Sequence, residues 1–199
     1  MSRIIKAMEE KYKQPSLDMV RRTFTNSETA EDAQIVVNLI EEIRSMSTYI
    51  PELELIMVDE NDEVIGYVMF SKFHLGGKYR DELLILTPVA VKTEVQRQHI
   101  SKELIEYGFE KAKEMGFQAV IVEGHPMNYR SRGFKTSADY GIVAGESVGL
   151  PAVECMMVRE LCEHALDHIS GVVEYTDYKS LRACLESLHA RLACIFSAI

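Results

Sequence analysis

Basic side chains gather in a polar segment, residues 92–101, that joins an apolar run to an amphipathic one. Lys92 and Arg97 lie in this segment and Lys102 follows it, although the whole chain carries a net charge of −9. The start of a helix presents unpaired backbone N–H groups and a partial positive charge, and both favour bound phosphate. The pattern therefore predicts an anion-binding site, and a pyrophosphate group is a suitable ligand for it. The alternative is an ordinary helix start whose charges are solvated.

Two elements must position this segment. Residues 83–91 (LLILTPVAV) read as a strand buried on both faces. Pro88 lies inside it and has no N–H, so the strand should be locally unpaired, at a place where a ligand could complete the ladder. Residues 101–115 have a helical apolar period, with Ser101 as N-cap and Gly116 as C-terminal cap. A strand at 119–122 then implies a right-handed, parallel crossover.

Shorter patterns organise the rest of the chain. They predict a loose tail or short helix at 1–16, a strand at 19–24, a helix at 29–46 capped by Thr29 and Asp32, a hairpin of 53–58 with 64–73, a strand at 154–161, and a helix from 175 onward. We divide the chain into a lead-in (1–18), a main domain (19–165) and a C-terminal extension (166–199).

Composition narrows the function classes. The chain has 199 residues of which 47% are apolar, enough for one domain with a full core. Its acidity argues against a general nucleic-acid binder, since such proteins are usually basic. The longest apolar run, about nine residues, is too short for a bilayer span. The N-terminus lacks signal-peptide features, so we expect a cytoplasmic protein.

The four cysteines show no CxxC spacing, and no histidine lies at a regular zinc-ligand offset. We therefore predict no metal site and interpret the cysteines as reduced thiols of a cytosolic protein.

Three segments in order resemble the GCN5-related N-acetyltransferase (GNAT) family. Residues 88–117 (PVAVKTEVQRQHISKELIEYGFEKAKEMGF) are similar to its strand, Q/R-x-x-G-x-G/A loop and helix. Residues 125–134 (HPMNYRSRGF) resemble its tyrosine-bearing segment, and residues 154–175 resemble the tail of its bacterial YhbS-like branch. The resemblance covers about residues 20–178. It implies an α/β (α+β) fold with a mixed, centrally splayed sheet flanked by helices, and acetyl-CoA as co-substrate.

The resemblance also implies roles for individual residues. The main chain of Val89, Ala90 and Val91 would pair with the pantetheine arm, and Asn128 would hydrogen-bond to it. Tyr129 would protonate the leaving thiolate; its alternative is a packed ring with a hydroxyl bonded to backbone. The pyrophosphate would bind the backbone amides of Gln96, Arg97, Gln98, His99, Ile100 and Ser101.

Two loop positions depart from the family pattern. His99 stands where the motif has its first glycine, and Ser101 where it has glycine or alanine. Glycine reaches positive φ freely, whereas histidine does so at a cost of order 1 kcal/mol. Pyrophosphate binding then depends on whether His99 adopts the positive φ of the turn and whether its ring points away from the phosphate site.

A base must take the proton from an acceptor amine. Glu82 precedes the central strand, while Glu123 and His125 follow the next one, and each is a candidate. His125 would titrate in the useful range. The alternatives are that Glu82 solvates a strand start, that His125 caps a short helix, and that a chain of waters carries the proton.

Two functions follow from these patterns. The first is an N-acetyltransferase that moves an acetyl group directly from acetyl-CoA to a primary amine of a small molecule or peptide. The second is a catalytically degenerate acyl-CoA-binding or partner-binding module with the same fold. The apolar stripe of the C-terminal helix favours the second if it docks on a partner or a second copy to form a homodimer, and otherwise it packs on its own domain.

Overall fold

The computed structural model describes residues 2–180, which form two compact units. The first comprises the chain up to Ser71 together with Leu86–Ala112, and the second comprises Lys72–Ile85 together with the described chain from Lys113 onward. One strand, β4 (Leu83–Val91), contributes its beginning to the second unit and its end to the first. The chain combines helices with strands whose pairing is mostly antiparallel, so the predicted mixed α/β class is confirmed.

Besides the end of β4, the elements of the first unit are β1 (Ile4–Ala7), α1 (Glu10–Ser27), α2 (Ala30–Ser45), β2 (Glu54–Val58), β3 (Val64–Lys72) and most of α3 (Ile100–Glu114). Its strands lie in the order β1-β2-β3-β4. Strands β1 and β2 are antiparallel, with Ile4 opposite Val58, and β2 and β3 form the predicted antiparallel hairpin.

Helix α2 begins where its capping residues predict. The Thr29 hydroxyl accepts the Asp32 N–H at 3.2 Å, and the Asp32 carboxylate accepts the Thr29 N–H at 3.1 Å. This reciprocal pair satisfies two of the donors that a helix start leaves open. The predicted helix at 29–46 is therefore confirmed.

The strand predicted at 19–24 is wrong, because these residues lie inside α1. Met19, Val20 and Thr23 are buried with the spacing of one helix face. A six-residue apolar and polar mixture cannot distinguish a period of 2 from one of 3.6. The first strand is instead β1, within the segment expected to be a tail or a short helix, and it pairs with β2.

Helix α3 lies very close to β3 because two glycines allow it. A Cβ at Gly66 would lie 2.6 Å from Ile100 Cγ2, and one at Gly108 would lie 2.2 Å from Phe70. The Phe70 and Phe109 rings meet edge to face, with centroids 5.9 Å apart. This packing fixes the start of α3 and hence the segment that joins it to β4.

Besides the beginning of β4, the second unit contains β5 (Ala119–Glu123), α4 (Pro126–Tyr129), β6 (Lys135–Thr136), β7 (Ile142–Ala144), β8 (Met156–Glu160) and β9 (Gly171–Val173). Its strands lie in the order β4-β5-β8-β6, and β7 and β9 form a separate parallel pair. Strands β4 and β5 are parallel, as the predicted crossover requires, and their register runs from Leu83 opposite Ala119 to Ile85 opposite Ile121.

The late strand predicted at 154–161 is confirmed as β8, which pairs antiparallel with β5. Of the helix predicted from 175 onward, Tyr175 and Tyr178 are buried in non-helical chain, so its start was placed too early. The rest of that prediction, from residue 181, lies outside the described residues. Within residues 2–180, no helix has the length and apolarity needed to cross a membrane.

Candidate active site

The segment between β4 and α3 is a short, tightly bonded connection. The Lys92 N–H donates to the Ile65 carbonyl at 3.0 Å as the strand ends, and a 3-10 turn follows at Thr93–Val95. The Gln96 side chain reaches back, and its Nε2 donates to the Val91 carbonyl at 3.2 Å. Helix α3 then begins at Ile100.

Two residues of this connection adopt the left-handed conformation that glycine usually supplies. Both Arg97 and His99 have φ of 63°. His99 is exposed and the next residue, Ile100, is buried against Gly66. His99 therefore has a positive φ, which glycine reaches freely and which costs about 1–2 kcal/mol for a residue with a Cβ.

The helix start provides the electrostatics of an anion site. The first bond within α3 runs from the Glu103 N–H to the His99 carbonyl, at 3.0 Å, so the amides before Glu103 face away from the helix ladder. Arg97 is exposed and has no hydrogen-bond or ion-pair partner among residues 2–180. Lys92 pairs with Glu63 at 2.9 Å, and this bond raises the pKa of the lysine.

The end of β4 is accessible on one face. Thr87, Val89 and Val91 are half-buried, whereas Pro88 and Ala90 between them are buried. The paired register with β5 ends at Ile85, before Pro88. The Val91 carbonyl also accepts the Thr23 hydroxyl at 3.4 Å, so that one acceptor of the three residues expected to hold pantetheine is already engaged.

Tyr129 ends the short helix α4 in the second unit. Its ring packs edge to face on Phe134, with centroids 5.7 Å apart, and lies so close to Gly124 that a Cβ there would be 2.8 Å from it. Its hydroxyl has no hydrogen-bond partner within the described chain, so the backbone bond of the alternative interpretation is not formed there. Burial raises the pKa of the Tyr129 phenol, and the nearby charge of Arg132 opposes this in part.

His125 precedes the same short helix, and Asn128 lies within it. The His125 ring caps the start of this helix through Nδ1, which accepts the Met127 N–H at 3.3 Å. Asn128 is exposed, and its carbonyl accepts a hydrogen bond from the Arg132 guanidinium. The structure therefore brings His125, Asn128 and Tyr129 together at the carboxyl end of β5.

Glu123, the last residue of β5, joins this group and has a partner that the sequence did not suggest. The Tyr175 hydroxyl donates to Glu123 Oε2 at 2.7 Å, and the tyrosine is only 2% exposed. Burial first, and the charge of Glu123 second, raise the pKa of Tyr175 well above its ordinary value, so it remains a donor. This contact joins residues 52 positions apart, so only the folded chain creates it.

Glu82 lies at the other end of β5. Its carbonyl accepts the N–H groups of Gln118 and Ala119, at the amino end of the strand, and its carboxylate meets His168 Nε2 at 2.9 Å. At 3.3 Å per residue, the strand separates it by roughly 15 Å from His125. The structure does not bring Glu82 together with Tyr129.

The described residues contain no group of three or more His, Cys, Asp or Glu side chains placed to hold a metal ion. Cys155 is buried and Cys162 is half-buried, and both are free thiols. Burial raises the pKa of the Cys155 thiol, which disfavours the thiolate that a nucleophile needs.

Comparison with known proteins defines the class. Residues 4–136 match the model of the acetyltransferase (GNAT) family, and the chain belongs to this family. Over 166 residues it is 29% identical to the uncharacterized N-acetyltransferase YhbS of Escherichia coli, and the match covers 82% of this chain and 91% of the relative. Over 134 residues it is 30% identical to the uncharacterized E. coli N-acetyltransferase YjhQ, and this match covers 66% of this chain and 71% of that protein.

Solved structures share the fold. The crystal structure of E. coli YhbS in complex with CoA has a TM-score of 0.77 at 24% identity, covering 88% of this chain and 91% of that one. A GNAT acetyltransferase from Brucella melitensis in complex with acetyl-CoA has a TM-score of 0.66 at 19% identity, covering 90% and 98%.

Proposed function

We propose that the protein transfers an acetyl group from acetyl-CoA to the primary amine of a small molecule or peptide. The observation that carries this proposal is the connection before α3, where His99 takes the left-handed conformation of the missing motif glycine. Family membership supplies the reaction class, and the CoA and acetyl-CoA complexes of the two structural neighbours support the co-substrate.

The residues present fit the pyrophosphate. The amides of residues 97–101 lie in the connection and the first turn of a 15-residue helix, where backbone N–H groups and the helix dipole favour negative charge. The Gln96 N–H is engaged, since it donates to the Thr93 carbonyl at 3.4 Å. His99 is exposed, and Arg97 adds a cation without a described partner. We assign the pantetheine arm to the backbone of Val89 and Ala90 on the accessible end of β4, with Val91 limited by its engaged carbonyl.

The chemistry is a direct displacement. The amine nitrogen forms a bond to the acetyl carbon, the bond from that carbon to sulfur breaks, and the electron pair leaves with the sulfur. Tyr129 then donates its phenolic proton to the thiolate, since a phenol with a pKa above about 10 remains protonated at neutral pH and a thiol has a pKa of about 8.5. No cysteine participates.

The amine proton must pass to a base near Tyr129. Glu123 and His125 both lie at the carboxyl end of β5 with Tyr129, whereas Glu82 lies at the other end. We therefore assign the proton to Glu123 or to His125 Nε2, and not to Glu82. Substituting each of the three and comparing turnover decides among them; a loss confined to Glu82→Gln would overturn this assignment.

The direct test is unfolding of the protein with and without acetyl-CoA. At about one hundred times its dissociation constant, a ligand of the native state raises the unfolding free energy by roughly 2.7 kcal/mol, which shifts the melting temperature by several degrees. Acetyl-pantetheine, which lacks the pyrophosphate, serves as the control and should shift it far less. No shift with acetyl-CoA would contradict the proposal.

Turnover separates the two functions once binding is established. Release of free thiol from acetyl-CoA, followed with a panel of primary amines, should rise above the rate without amine for at least one class. Binding of acetyl-CoA without release in any class would favour the degenerate acyl-CoA-binding module.

A further inference from the structure

A groove of about 300 Å³ in the first unit borders the connection before α3. Gln98 and Ile100 form the edge of the groove that faces the start of α3. The groove therefore begins beside the proposed pyrophosphate site. Its other walls come from the N-terminal segment, from α1, and from the ends of β2, β3 and β4. They are formed by Ser2, Arg3, Arg22, Asp59, Ile65, Lys92, Glu94 and Val95.

Arg22 is the cation in this groove whose guanidinium is not engaged. It is exposed, and none of residues 2–180 forms a hydrogen bond or an ion pair with it. The other two cations have partners, because Arg3 binds Glu103 and Lys92 binds Glu63. Arg22 and Lys92 also line a second cavity of about 400 Å³, so each of these side chains borders both the groove and this cavity.

Arg22 is the side chain of this groove that suits an anion. Three basic and two acidic side chains line the groove, but Glu103 and Glu63 already pair with Arg3 and Lys92, so Arg22 is the cation left to meet a ligand. The Asp59 carboxylate is already engaged, since it accepts the N–H groups of Asn61 at 2.9 Å and Glu63 at 3.0 Å.

We propose that this groove holds the nucleotide end of acetyl-CoA and that Arg22 binds the phosphate on the ribose 3′ oxygen. This inference rests on the proposed function. The ribose follows the pyrophosphate directly in the ligand, so its phosphate must lie close to the amides of residues 97–101. A guanidinium binds a phosphate through two parallel hydrogen bonds. The half-buried apolar side chain of Val95 offers a surface to the sugar and base.

The test compares CoA with 3′-dephospho-CoA, which differ only in that phosphate. Calorimetric titration of the intact chain should show CoA binding about tenfold more tightly, as expected for a hydrogen-bonded charge pair. Arg22→Gln should weaken CoA about tenfold and leave 3′-dephospho-CoA unchanged. The preceding residue, Arg21, is a matched control, because it is also exposed on α1 but binds Gln34 and does not line the groove. Arg21→Gln should retain the preference for CoA.

Each outcome has a distinct meaning. Equal affinity of the two ligands for the unaltered protein would overturn the inference while leaving the proposed function intact. A preference for CoA that survives in Arg22→Gln would also overturn it, by placing the phosphate elsewhere. If neither ligand binds, the proposed function fails and this inference fails with it. Circular dichroism of Arg22→Gln should match the unaltered protein, since an exposed side chain without a described partner contributes little to folding.

Discussion

His99 carries a conformational cost at the residue scale that a glycine would not. Its φ of 63° crowds the Cβ against the following carbonyl. We expect His99→Gly to be more stable than His99→Ala by about 1 kcal/mol, because both variants lose the ring and only glycine loses the Cβ. Urea unfolding of the two variants measures this difference. Equal stabilities would show that the turn is not left-handed in solution.

Tyr129 is predicted to act through its hydroxyl alone. Its ring packs on Phe134 and against Gly124, and a phenylalanine would keep both contacts. Tyr129→Phe should therefore bind acetyl-CoA with unchanged affinity and lower turnover by about a hundredfold, the usual contribution of a general acid. Tyr107→Phe, at an exposed position of α3, is the control. Unchanged turnover in Tyr129→Phe would remove the phenol from the mechanism.

A buried ion pair fixes the connection between α2 and β2 at the scale of elements. Glu54 is fully buried on β2, and Arg44 of α2 binds it at 2.6 Å. Tyr49 and Tyr67 donate their hydroxyls to the same carboxylate at 2.5 and 2.7 Å. Four donor groups, namely Nε and Nη2 of Arg44 and the two tyrosine hydroxyls, thus converge from a helix, a loop and a neighbouring strand.

Removing the charge of Glu54 should loosen all of these elements together. We expect Glu54→Gln to lower the free energy of unfolding by about 3 kcal/mol, since it leaves Arg44 largely buried without its counterion. Glu52→Gln, at an exposed position two residues earlier, should change it by less than about 0.5 kcal/mol. Chemical denaturation measures both. A similar small effect at the two positions would contradict the role of the network.

The close approach of α3 to β3 leads to a prediction against helix propensity. Alanine stabilises an isolated helix by about 1 kcal/mol relative to glycine. At Gly108, however, the added Cβ would lie 2.2 Å from Phe70, so we expect Gly108→Ala to destabilise the protein by about 1–3 kcal/mol. Thermal unfolding measures the sign, and Glu110→Ala, exposed on the same helix, should change little. A more stable Gly108→Ala would mean that α3 shifts to make room.

Buried tyrosines set the alkaline limit of the whole molecule. Burial raises the pKa of Tyr67 and of Tyr175 well above the ordinary value near 10. Their phenols keep their protons in the folded state at pH values where the unfolded chain loses them. The stability that these groups contribute is therefore fully present below pH 10 and is lost as pH rises from 10 toward their folded pKa.

This linkage predicts a flat stability from neutral pH to about 10 and a steep fall above it. Tyr175→Phe should lower stability at pH 7, because the bond to Glu123 is lost, but should make the alkaline fall shallower. Urea midpoints at pH 7, 9, 10 and 11 test this. An equally steep fall in the variant would assign the alkaline transition to other groups.

The sequence by itself determined the local units of this protein. Strand β4, the connection and helix α3 follow from an apolar run, a polar break and a helical period within some thirty consecutive residues. The cap of α2 is equally local, because Thr29 and Asp32 bond across three residues. The family motif lies in the same stretch. The residue types alone therefore show that its glycines are replaced, and they raise the question whether His99 can adopt a positive φ. The prediction of a strand at 19–24 was wrong because six residues are too few to distinguish the period of a strand from that of a helix.

Only the tertiary structure decided which distant residues share a place. The parallel pairing of β4 with β5 put Glu82 at the opposite end of β5 from His125, although both flank buried strands. The tail brought Tyr175 to Glu123 across 52 positions, and the folding of α1 as a helix carried Arg22 to the groove beside Gln98. Local periodicity records which face of an element is buried. It does not record which element covers that face, because pairing and packing are set by contacts between residues far apart in the chain.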